Sequence, residues 1–474
     1  MSEEHLARPD RRLSVLLAAI GAVMIGAAIN VYDGYGRPPA FTWLTIAVVA
    51  VLLAVVLPTH RTLEAVLRRA LPGMLVVGLV FELREMIRIV PARPFAAVAW
   101  QPPFFVAMVG AAVAGLAVAF LPGAWRYLGV AGLLGIHAAL GAWTIGLQAT
   151  PSPPIDVFLF QRDAVAALLA GVNPYSITFP NPYGSAAYYG PGMVVDGRLT
   201  FGFVYPPLSL FLSTLGQWIG GDVRYAQLGA MTLAAAFMAT TRRGRLGGLA
   251  AGLYLFTPRN LFVLEQSWTE PFVVLFLAAT VWCAIRTPRL TPYTLGLYLA
   301  VKQYAVLALP LALLLTRPPM RLRGFWGSAL RAVVIAAVVT LPLALLDLSG
   351  FLRAVVLLQF AQPFRPEALS YLGLWAGPAG QPPFGPGVAF AVAAAVGALA
   401  LWRVGRTPSG FALAVSALFL AFFVLNKQAF ANYYFYVIGA LCTAVAAAQP
   451  TDQPWEKGRR GSAAEVDEPA VSSP

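Results

Sequence analysis

Charge is scarce in this sequence: charged residues make up 11% of its 474 residues, whereas 59% are hydrophobic. In a soluble globular protein roughly a quarter of all residues are charged, so this chain has too few polar side chains to cover the surface of a fold in water. Apolar stretches of about 20 residues recur along it, and each is long enough to span the hydrocarbon core of a bilayer. The sequence therefore predicts an all-α membrane protein that crosses the bilayer many times.

Cysteine and lysine are also rare. The only cysteines, Cys283 and Cys442, lie inside apolar stretches without metal-ligand spacing, which favours a packing role and carries no redox signal. Of the 33 basic residues only three are lysines, and two of these, Lys302 and Lys427, lie beside or within apolar stretches. The preference for arginine is typical of a GC-rich bacterial genome, so we expect a location in a bacterial cell membrane.

The net charge of +13 does not indicate a nucleic-acid partner. A nucleic-acid-binding domain gathers its basic residues on one surface, whereas these arginines are spread over short loops between apolar stretches. Cytoplasmic loops of membrane proteins are rich in arginine and lysine, and this topological role explains most of the charge.

The apolar stretches predict about 12 transmembrane helices, divided between an N-terminal group in residues 1–126 and a core in residues 127–448. Their expected ranges are 12–31, 41–58, 70–91, 102–121, 127–148, 223–241, 247–264, 269–286, 327–347, 386–403, 410–426 and 430–448. A long loop rich in Pro, Gly and Tyr lies within residues 149–222. Residues 449–474 are polar and predict a disordered tail.

The arginine clusters decide the predicted topology, because they favour the cytoplasmic side. All of them fall there if 204–220 lies along the outer face and 292–316 is a hairpin that enters and leaves from the cytoplasm. Both chain ends are then cytoplasmic, and the loop 149–222 is external. A membrane hairpin is tolerated only where its backbone is buried in protein or faces water, so its apex at Lys302 predicts a polar cavity.

The external loop supplies the first candidate residues for chemistry. It opens with Asp156, followed by an amphipathic stretch with Arg162 and Asp163 that we expect on the membrane surface. The Asp156 carboxylate is a candidate general base, and an Asp before an apolar run is also a typical helix N-cap; the two roles are compatible. The loop lacks an Asp-x-Asp motif, which argues against a metal site.

Turns and aromatic residues follow in the same loop. Gly-Val-Asn-Pro-Tyr contains Asn173 and Tyr175, and Tyr-Pro-Pro-Leu begins at Tyr205; their Pro and Gly content predicts turns. Tyrosines between the two motifs form an aromatic surface that suits a sugar ring, but Tyr is also common at membrane interfaces. We expect substrate contacts from both motifs.

Charged and amide side chains also occur at or within the apolar stretches. The expected outer boundary of the membrane carries Arg259, Glu265, Glu270, Lys302, Gln303, Lys427, Asn432 and Tyr433. Charge at that depth is costly unless it is paired or functional. Two interpretations stay open: the cations bind the phosphate of an anionic lipid, which arginine can grip through two hydrogen bonds, or they pair with the glutamates inside the bundle.

Taken in order, five motifs resemble those of GT-C glycosyltransferases. They are an Asp at the start of the large external loop, Gly-x-Asn-Pro-Tyr, Tyr-Pro-Pro-Leu, an apolar Lys-Gln-Tyr hairpin and Asn-Lys-Gln-Ala-Phe-x-Asn-Tyr-Tyr, within residues 127–445. The closest resemblance is to bacterial polyprenol-phosphate-mannose-dependent alpha-1,2-mannosyltransferases. It implies a GT-C-like bundle with a polyprenyl-phosphate sugar donor, a glycolipid or glycan acceptor and an active site on the external face of the plasma membrane.

By the same resemblance, Asp156 is the base of an inverting transfer that needs neither metal nor cofactor. Lys302, Arg259 and Lys427 would offset the negative charge on the leaving phosphate. The chain carries about four spans before the one that leads into the loop, more than many relatives, and the role of residues 1–126 is left open. Asp33, in an external turn, is a rival base under a shifted alignment.

A lipid-linked sugar flippase or transporter is the main alternative function. A secondary transporter predicts internal repeats with matching broken helices, and the sequence has no such symmetry. A ligase-type enzyme usually places its large catalytic loop late in the chain rather than early. An enzyme requires the Asp156 carboxylate, whereas we expect a flippase to tolerate Asn at this position.

Overall fold

The computed structural model describes residues 12–58, 61–88, 102–147, 153–316, 321–376 and 380–448. Regular structure in these ranges is helical apart from a short antiparallel pair, β1 (Val194–Val195) and β2 (Arg198–Leu199). Five helical stretches are long and apolar enough to cross a membrane: Arg12–Val31, Pro38–Val56, Pro102–Phe120, Gly123–Leu147 and Leu322–Ala361. The chain is thus an all-α membrane protein, as its sequence predicts. The predicted tail 449–474 lies outside the described residues.

The helices before the long loop are α1 (Arg12–Val31), α2 (Pro38–Val56), α3 (Arg61–Arg88), α4 (Pro102–Phe120) and α5 (Gly123–Leu147). The loop itself forms α6 (Asp156–Leu169), a 3₁₀ turn (Ala186–Tyr188) and α7 (Pro207–Gly220). Then follow α8 (Arg224–Thr241), α9 (Leu246–Leu255), α10 (Asn260–Glu265), α11 (Glu270–Arg286), a 3₁₀ turn (Pro288–Leu290), α12 (Thr291–Val301) and a 3₁₀ helix (Gln303–Leu315).

The last part begins with α13 (Arg321–Ala344), a 3₁₀ turn (Leu345–Asp347), α14 (Leu348–Phe351), a π-helical turn (Leu352–Leu357), α15 (Leu358–Ala361) and α16 (Tyr371–Leu374). It ends with α17 (Gly387–Arg403), α18 (Pro408–Phe423) and α19 (Ala431–Ala447). The predicted span 247–264 is two helices rather than one. Pro258 has no backbone N–H and its ring opposes a continuous helix, so α9 ends at Leu255 and α10 begins at Asn260.

The N-terminal helices are built into the bundle. α1 packs against α2, α3 and the last helix α19, and α3 packs against α9. Small residues allow this close packing: a Cβ on Gly21 of α1 would lie 2.7 Å from Val51 of α2 and 3.5 Å from Leu441 of α19. Helices from residues 1–126 therefore pack directly against helices from residues 127–448, and the two predicted parts share one bundle.

Arginines gather at one end of the bundle, which we call the basic end. Arg242 donates to the Ala447 carbonyl (2.5 Å), Arg286 donates to the Thr240 carbonyl (2.9 Å), and Arg403 lines a small pocket beside the start of α1. These three members of the predicted clusters thus lie where α8, α11, α17 and α19 end; Arg8, Arg11 and Arg317 lie outside the described residues. The opposite end carries the long loop, and we call it the cavity end.

The predicted hairpin 292–316 bends at Lys302. The backbone there is extended (φ −150°, ψ 135°) between α12 and the following 3₁₀ helix. Tyr304 packs on Phe423 at the cavity end of α18, whereas Leu311 lies beside Gly397, closer to the basic end of α17. The chain therefore turns back toward the basic end after Lys302.

Helix α7 has its apolar face on the outside. Ser209 and Ser213 are fully buried, whereas Trp218 and Ile219 are 69% and 83% exposed. Its 14 residues span about 21 Å, less than the hydrocarbon thickness of a bilayer. An exposed apolar face on a short helix is typical of a segment that lies against lipid. The placement of 204–220 along the outer face of the membrane stays a prediction.

The long loop is folded around its own aromatic core. Phe160 packs on Phe179 with ring centroids 4.8 Å apart, and both belong to a buried cluster that also includes Phe203. The same cluster contains Val355 and Leu358 from the segment after α13. This packing fixes α6, and with it Asp156, at the cavity end of the bundle.

Candidate functional site

A cavity of about 280 Å³ opens at the cavity end. Its wall combines the long loop with the turns after α1, α10, α12, α15 and α18. Aromatic residues dominate the lining: Tyr35, Phe160, Tyr183, Tyr188, Tyr189, Phe201, Tyr205, Phe262, Trp268, Tyr304, Phe430 and Tyr433. Amides are the second class: Gln266, Gln303, Gln359, Gln362, Gln428 and Asn432. Aromatic faces and a few placed polar groups give a cavity both its binding surface and its specificity.

Asp156 lines this cavity from the first turn of α6. Ile155 occupies the N-cap position, so Asp156 is the first helical residue and the cap interpretation is wrong. Its Oδ2 accepts a hydrogen bond from the Tyr189 hydroxyl (3.0 Å), and its backbone N–H donates to the Tyr183 hydroxyl (3.3 Å). These two tyrosines fix the position of the carboxylate.

The environment of Asp156 makes it a stronger base than an exposed aspartate. Burial raises its pKa above the ordinary value for Asp, and the hydroxyls of Tyr189 and Tyr183 and the charge of Arg365 partly oppose this rise. Burial and the neighbouring Asp156 charge raise the pKa of the Tyr189 hydroxyl, so it remains a hydrogen-bond donor. The site therefore holds a partly buried carboxylate suited to proton transfer.

Lys302 reaches the cavity from the bend of the hairpin and is 4% exposed. Its Nζ lies 3.0 Å from Glu270 Oε1 and donates to Thr269 Oγ1 (2.5 Å). The ammonium also lies over the Tyr205 ring, 4.1 Å from its centroid. The predicted pairing with Glu270 is thus present in the structure, and it places a neutralised cation at the cavity wall.

Arg259 lies behind the cavity wall rather than in it. Its Nη2 is 2.6 Å from Asp33 Oδ1 and donates to the Asn30 carbonyl (3.3 Å). Glu265, fully buried in α10, acts electrostatically on the same guanidinium. Asp33 does line the cavity, but it is bound to Arg259 and is therefore a poorer candidate base than Asp156.

Four other predicted residues line the cavity together with Asp156 and Lys302: Tyr205, Gln303, Asn432 and Tyr433. Tyr205 is fixed from behind, because the buried Tyr175 hydroxyl donates to its carbonyl (2.8 Å). Gln303 Oε1 is buried and has no hydrogen-bond partner within the described residues. The loop, the hairpin and the start of α19, which the sequence singles out, thus each contribute to the wall of this cavity; a role of these residues in substrate binding stays a prediction.

Several predicted substrate contacts lie outside this cavity. Arg162 and Asp163 pair with each other on the exposed side of α6, at 2.7 Å. Asn173 accepts from the Tyr175 backbone N–H (3.1 Å), which stabilises the turn. Lys427 Nζ donates to the carbonyls of residues 360 and 362, at 2.9 and 2.5 Å, and so holds the end of α15. Of these side chains, Lys427 supports the wall of the cavity, because Gln359 and Gln362 near the end of α15 line it.

Arg365 is a cavity residue that the sequence reasoning missed. It lies between α15 and α16, where it pairs with Glu367, and its Nε is 2.5 Å from Glu367 Oε1. Its guanidinium carbon lies 4.7 Å from the Tyr188 ring centroid and 5.3 Å from that of Phe430. An arginine in a segment predicted to be external runs against the positive-inside trend, and this was the available signal.

Gln266 was also missed, although its neighbour Glu265 was singled out at the expected membrane boundary. It is 4% exposed, lines the cavity, and its Nε2 has no hydrogen-bond partner among the residues that the structure describes. The turn that carries it contains Ser267, whose carbonyl accepts from Gln161 of α6. A buried amide without a partner in the protein is suited to bind a ligand acceptor atom.

A buried amide network joins this turn to the helix of Asp156. Gln161 lies five residues after Asp156 and is fully buried. Its Oε1 accepts from Ser213 Oγ (2.8 Å) and from Gln227 Nε2 (2.7 Å), so α6, α7 and α8 are linked at one residue. The network fixes Asp156 and the 266–269 turn relative to each other.

Across the described ranges, no three His, Cys, Asp or Glu side chains come together as a candidate metal site. The expectation that the reaction needs no metal and no cofactor stays a prediction.

Comparisons of the chain with protein-family models, with curated proteins and with solved structures found no match.

Proposed function

We propose that this protein is an inverting glycosyltransferase that moves a sugar from a polyprenyl-phosphate donor to a hydroxyl of a glycolipid or glycan acceptor. One observation carries the proposal: the partly buried Asp156 carboxylate shares an aromatic, amide-rich cavity with the cations Lys302 and Arg365. Sugar transfer from a lipid phosphate uses a base for the acceptor, cations for the leaving group and flat surfaces for the sugar.

Each component of the reaction has a candidate residue. The acceptor oxygen forms a bond to C1 of the sugar while its proton passes to Asp156. The bond between C1 and the phosphate oxygen breaks, and its electron pair leaves with polyprenyl phosphate. Attack on the side opposite the leaving group inverts the configuration at C1. Lys302 stabilises the charge that develops on the departing phosphate.

We assign the sugar as mannose on the resemblance to the mannosyltransferase branch, and the bundle as GT-C-like. About 12 spans are then formed by α1 to α5, α8, α9 with α10, α11, α13 and α17 to α19, with α12 and the 3₁₀ helix after it as a hairpin. The gathering of arginines at the basic end supports a cytoplasmic location for that end. The cavity then faces the exterior of a bacterial plasma membrane.

Transfer of radiolabelled mannose tests the proposal. The purified protein is supplied with polyprenyl-phosphate mannose and native membrane lipids, in detergent with EDTA. We expect transfer by the wild type and a loss of at least a hundredfold in Asp156→Asn, because general-base catalysis contributes roughly 10²–10⁴-fold. The matched control is Asp196→Asn, an exposed residue of the same loop whose positive φ of 48° Asn tolerates.

The outcomes separate the candidate functions. Equal losses in both variants would indicate damage to the loop rather than removal of a base. Undiminished transfer by Asp156→Asn would refute the assignment of Asp156 and direct attention to Asp33. A flippase would be established by a different result. The wild type would transfer no sugar, and both the wild type and Asp156→Asn would move lipid-linked sugar across vesicle membranes.

A further inference from the structure

The loop around Arg365 is held from two sides. The Arg365 backbone N–H donates to the Lys427 carbonyl (3.0 Å), which joins the loop to the segment before α19. On the other side, the Gly36 N–H donates to the Glu367 carbonyl (2.9 Å), and Tyr35 forms a β-bridge with Ala368. Both sets of bonds involve backbone atoms, so they fix where the loop lies.

The aromatic contacts of Arg365 lead to the same N-terminal turn. Its guanidinium contacts Phe430, and the Phe430 ring packs edge-on against Tyr35 with centroids 5.6 Å apart. Gly34 allows the approach, because a Cβ there would lie 2.4 Å from the Ala431 backbone nitrogen. The turn between α1 and α2 is therefore part of the wall that carries Arg365.

The ion pair of Arg365 differs from that of Lys302 in its exposure. Side chains of Arg365 and Glu367 are 20% and 39% exposed, whereas those of Lys302 and Glu270 are 5% and 0% exposed. An exposed ion pair contributes little to stability, so a ligand anion can replace Glu367 at small cost. Breaking a buried pair instead leaves an uncompensated charge inside the protein.

We propose that Arg365 binds the phosphate of the polyprenyl donor in exchange for Glu367, and that the turn between α1 and α2 positions it there. The inference rests on the proposed function and extends it to residues 1–126, whose role the sequence left open. A planar guanidinium held between two rings presents its N–H groups in a fixed direction, which suits phosphate oxygens. Lys302 stays with Glu270, and Arg365 is the cation that changes partner.

Binding of a lipid phosphate tests Arg365 without requiring turnover. The probes are radiolabelled farnesyl phosphate and farnesol, which differ in the phosphate alone. We expect Arg365→Gln to weaken farnesyl phosphate binding roughly tenfold to a hundredfold, as for a lost charge-assisted hydrogen bond, and to leave farnesol binding unchanged. Arg365→Lys should recover part of the loss. Arg353→Gln, at an exposed arginine outside the cavity, is the matched control.

Substitution of Gly36 tests the positioning role of the turn. A Cβ on Gly36 would lie 2.5 Å from the Ala368 carbonyl oxygen, so Gly36→Ala must displace the Arg365 loop or the turn. We expect weaker binding of farnesyl phosphate with farnesol binding retained. The control is Gly135→Ala in α5, where an added Cβ meets no atom within 4 Å.

The outcomes distinguish this inference from the proposed function. Wild-type affinity of Arg365→Gln for farnesyl phosphate would overturn the assignment of Arg365, and an equal loss for farnesol would show a general structural defect instead. Unchanged binding in Gly36→Ala would overturn the role of the turn. If the wild type binds farnesyl phosphate through Arg365 but transfers no sugar, the transferase proposal fails while this inference stands.

Discussion

Separation of the Lys302–Glu270 pair distinguishes a structural role of this lysine from a role in catalysis. The ammonium and the carboxylate are 3.0 Å apart, and both side chains are almost fully buried. Lys302→Met leaves Glu270 without its cation, and removal of one partner of a buried pair costs about 3–5 kcal/mol. The variant also loses the hydrogen bond to Thr269 and the contact with the Tyr205 ring. We therefore expect a marked loss of thermal stability.

The double variant Lys302→Met/Glu270→Leu removes both charges. Replacement of a buried ion pair by apolar side chains of similar volume is often neutral or stabilising, so we expect most of the stability to return. Transfer activity should stay low in the double variant if the ammonium stabilises the leaving phosphate. The two variants and Glu270→Leu form a double-mutant cycle that isolates the energy of the pair.

Thermal unfolding in detergent can be followed with a fluorogenic thiol reagent. Cys283 and Cys442 are free and buried, so they react when the bundle opens and serve as internal reporters. Transfer of mannose is measured on the same preparations. Wild-type stability of Lys302→Met would refute the energetic argument for the buried pair. Recovery of both stability and transfer in the double variant would show that Lys302 acts through folding alone.

Two further predictions concern the base and the unpartnered amide. The hydroxyls of Tyr183 and Tyr189 and the charge of Arg365 lower the pKa of Asp156 against the effect of burial. Tyr189→Phe should therefore raise that pKa and move the acidic limb of the kcat/KM profile to higher pH; an unchanged profile would contradict Asp156 as the base. Gln266→Leu should raise the donor or acceptor KM several-fold without loss of thermal stability, since it removes a buried amide nitrogen that has no hydrogen-bond partner in the described part of the chain. Equal losses in stability and affinity would show that the amide has a structural role.

The helical membrane fold could be predicted because lipid imposes it locally. Each apolar stretch must satisfy its own backbone, so length and hydropathy suffice to predict helices such as α1 and α4. Local chemistry also explains the main error in a predicted span, since Pro258 interrupts the helix expected over 247–264. Arginine positions were informative as well, because Arg242, Arg286 and Arg403 of the predicted cytoplasmic clusters lie at the basic end.

The complete cavity could not be predicted, because its wall depends on contacts between distant parts of the chain. Lys302 was recognised from its place in an apolar hairpin, and Asp156 from its place at the start of a loop. The only local sign of Arg365 is an arginine in a segment predicted to be external, which does not place it in the cavity. Its loop is held there by two backbone bonds, in which the Arg365 N–H donates to the Lys427 carbonyl and the Gly36 N–H donates to the Glu367 carbonyl. Those bonds depend on the packing of α1 against α19, which no motif encodes.

The embedded cations had two interpretations, phosphate binding and pairing with carboxylates, and the pairs in the structure are compatible with both. Lys302, Arg259 and Arg365 each have a carboxylate partner, as cations in a low-dielectric bundle require. A paired cation still contributes to phosphate binding when its partner can be exchanged, and exposure decides which pairs permit this. The Lys302 pair is buried on both sides and acts as a fixed dipole at the wall. Arg365 lines the cavity and its pair with Glu367 is partly exposed. Under the proposed exchange, a donor phosphate would compete with Glu367 for the guanidinium, and charge pairing and phosphate binding would be successive states of one residue.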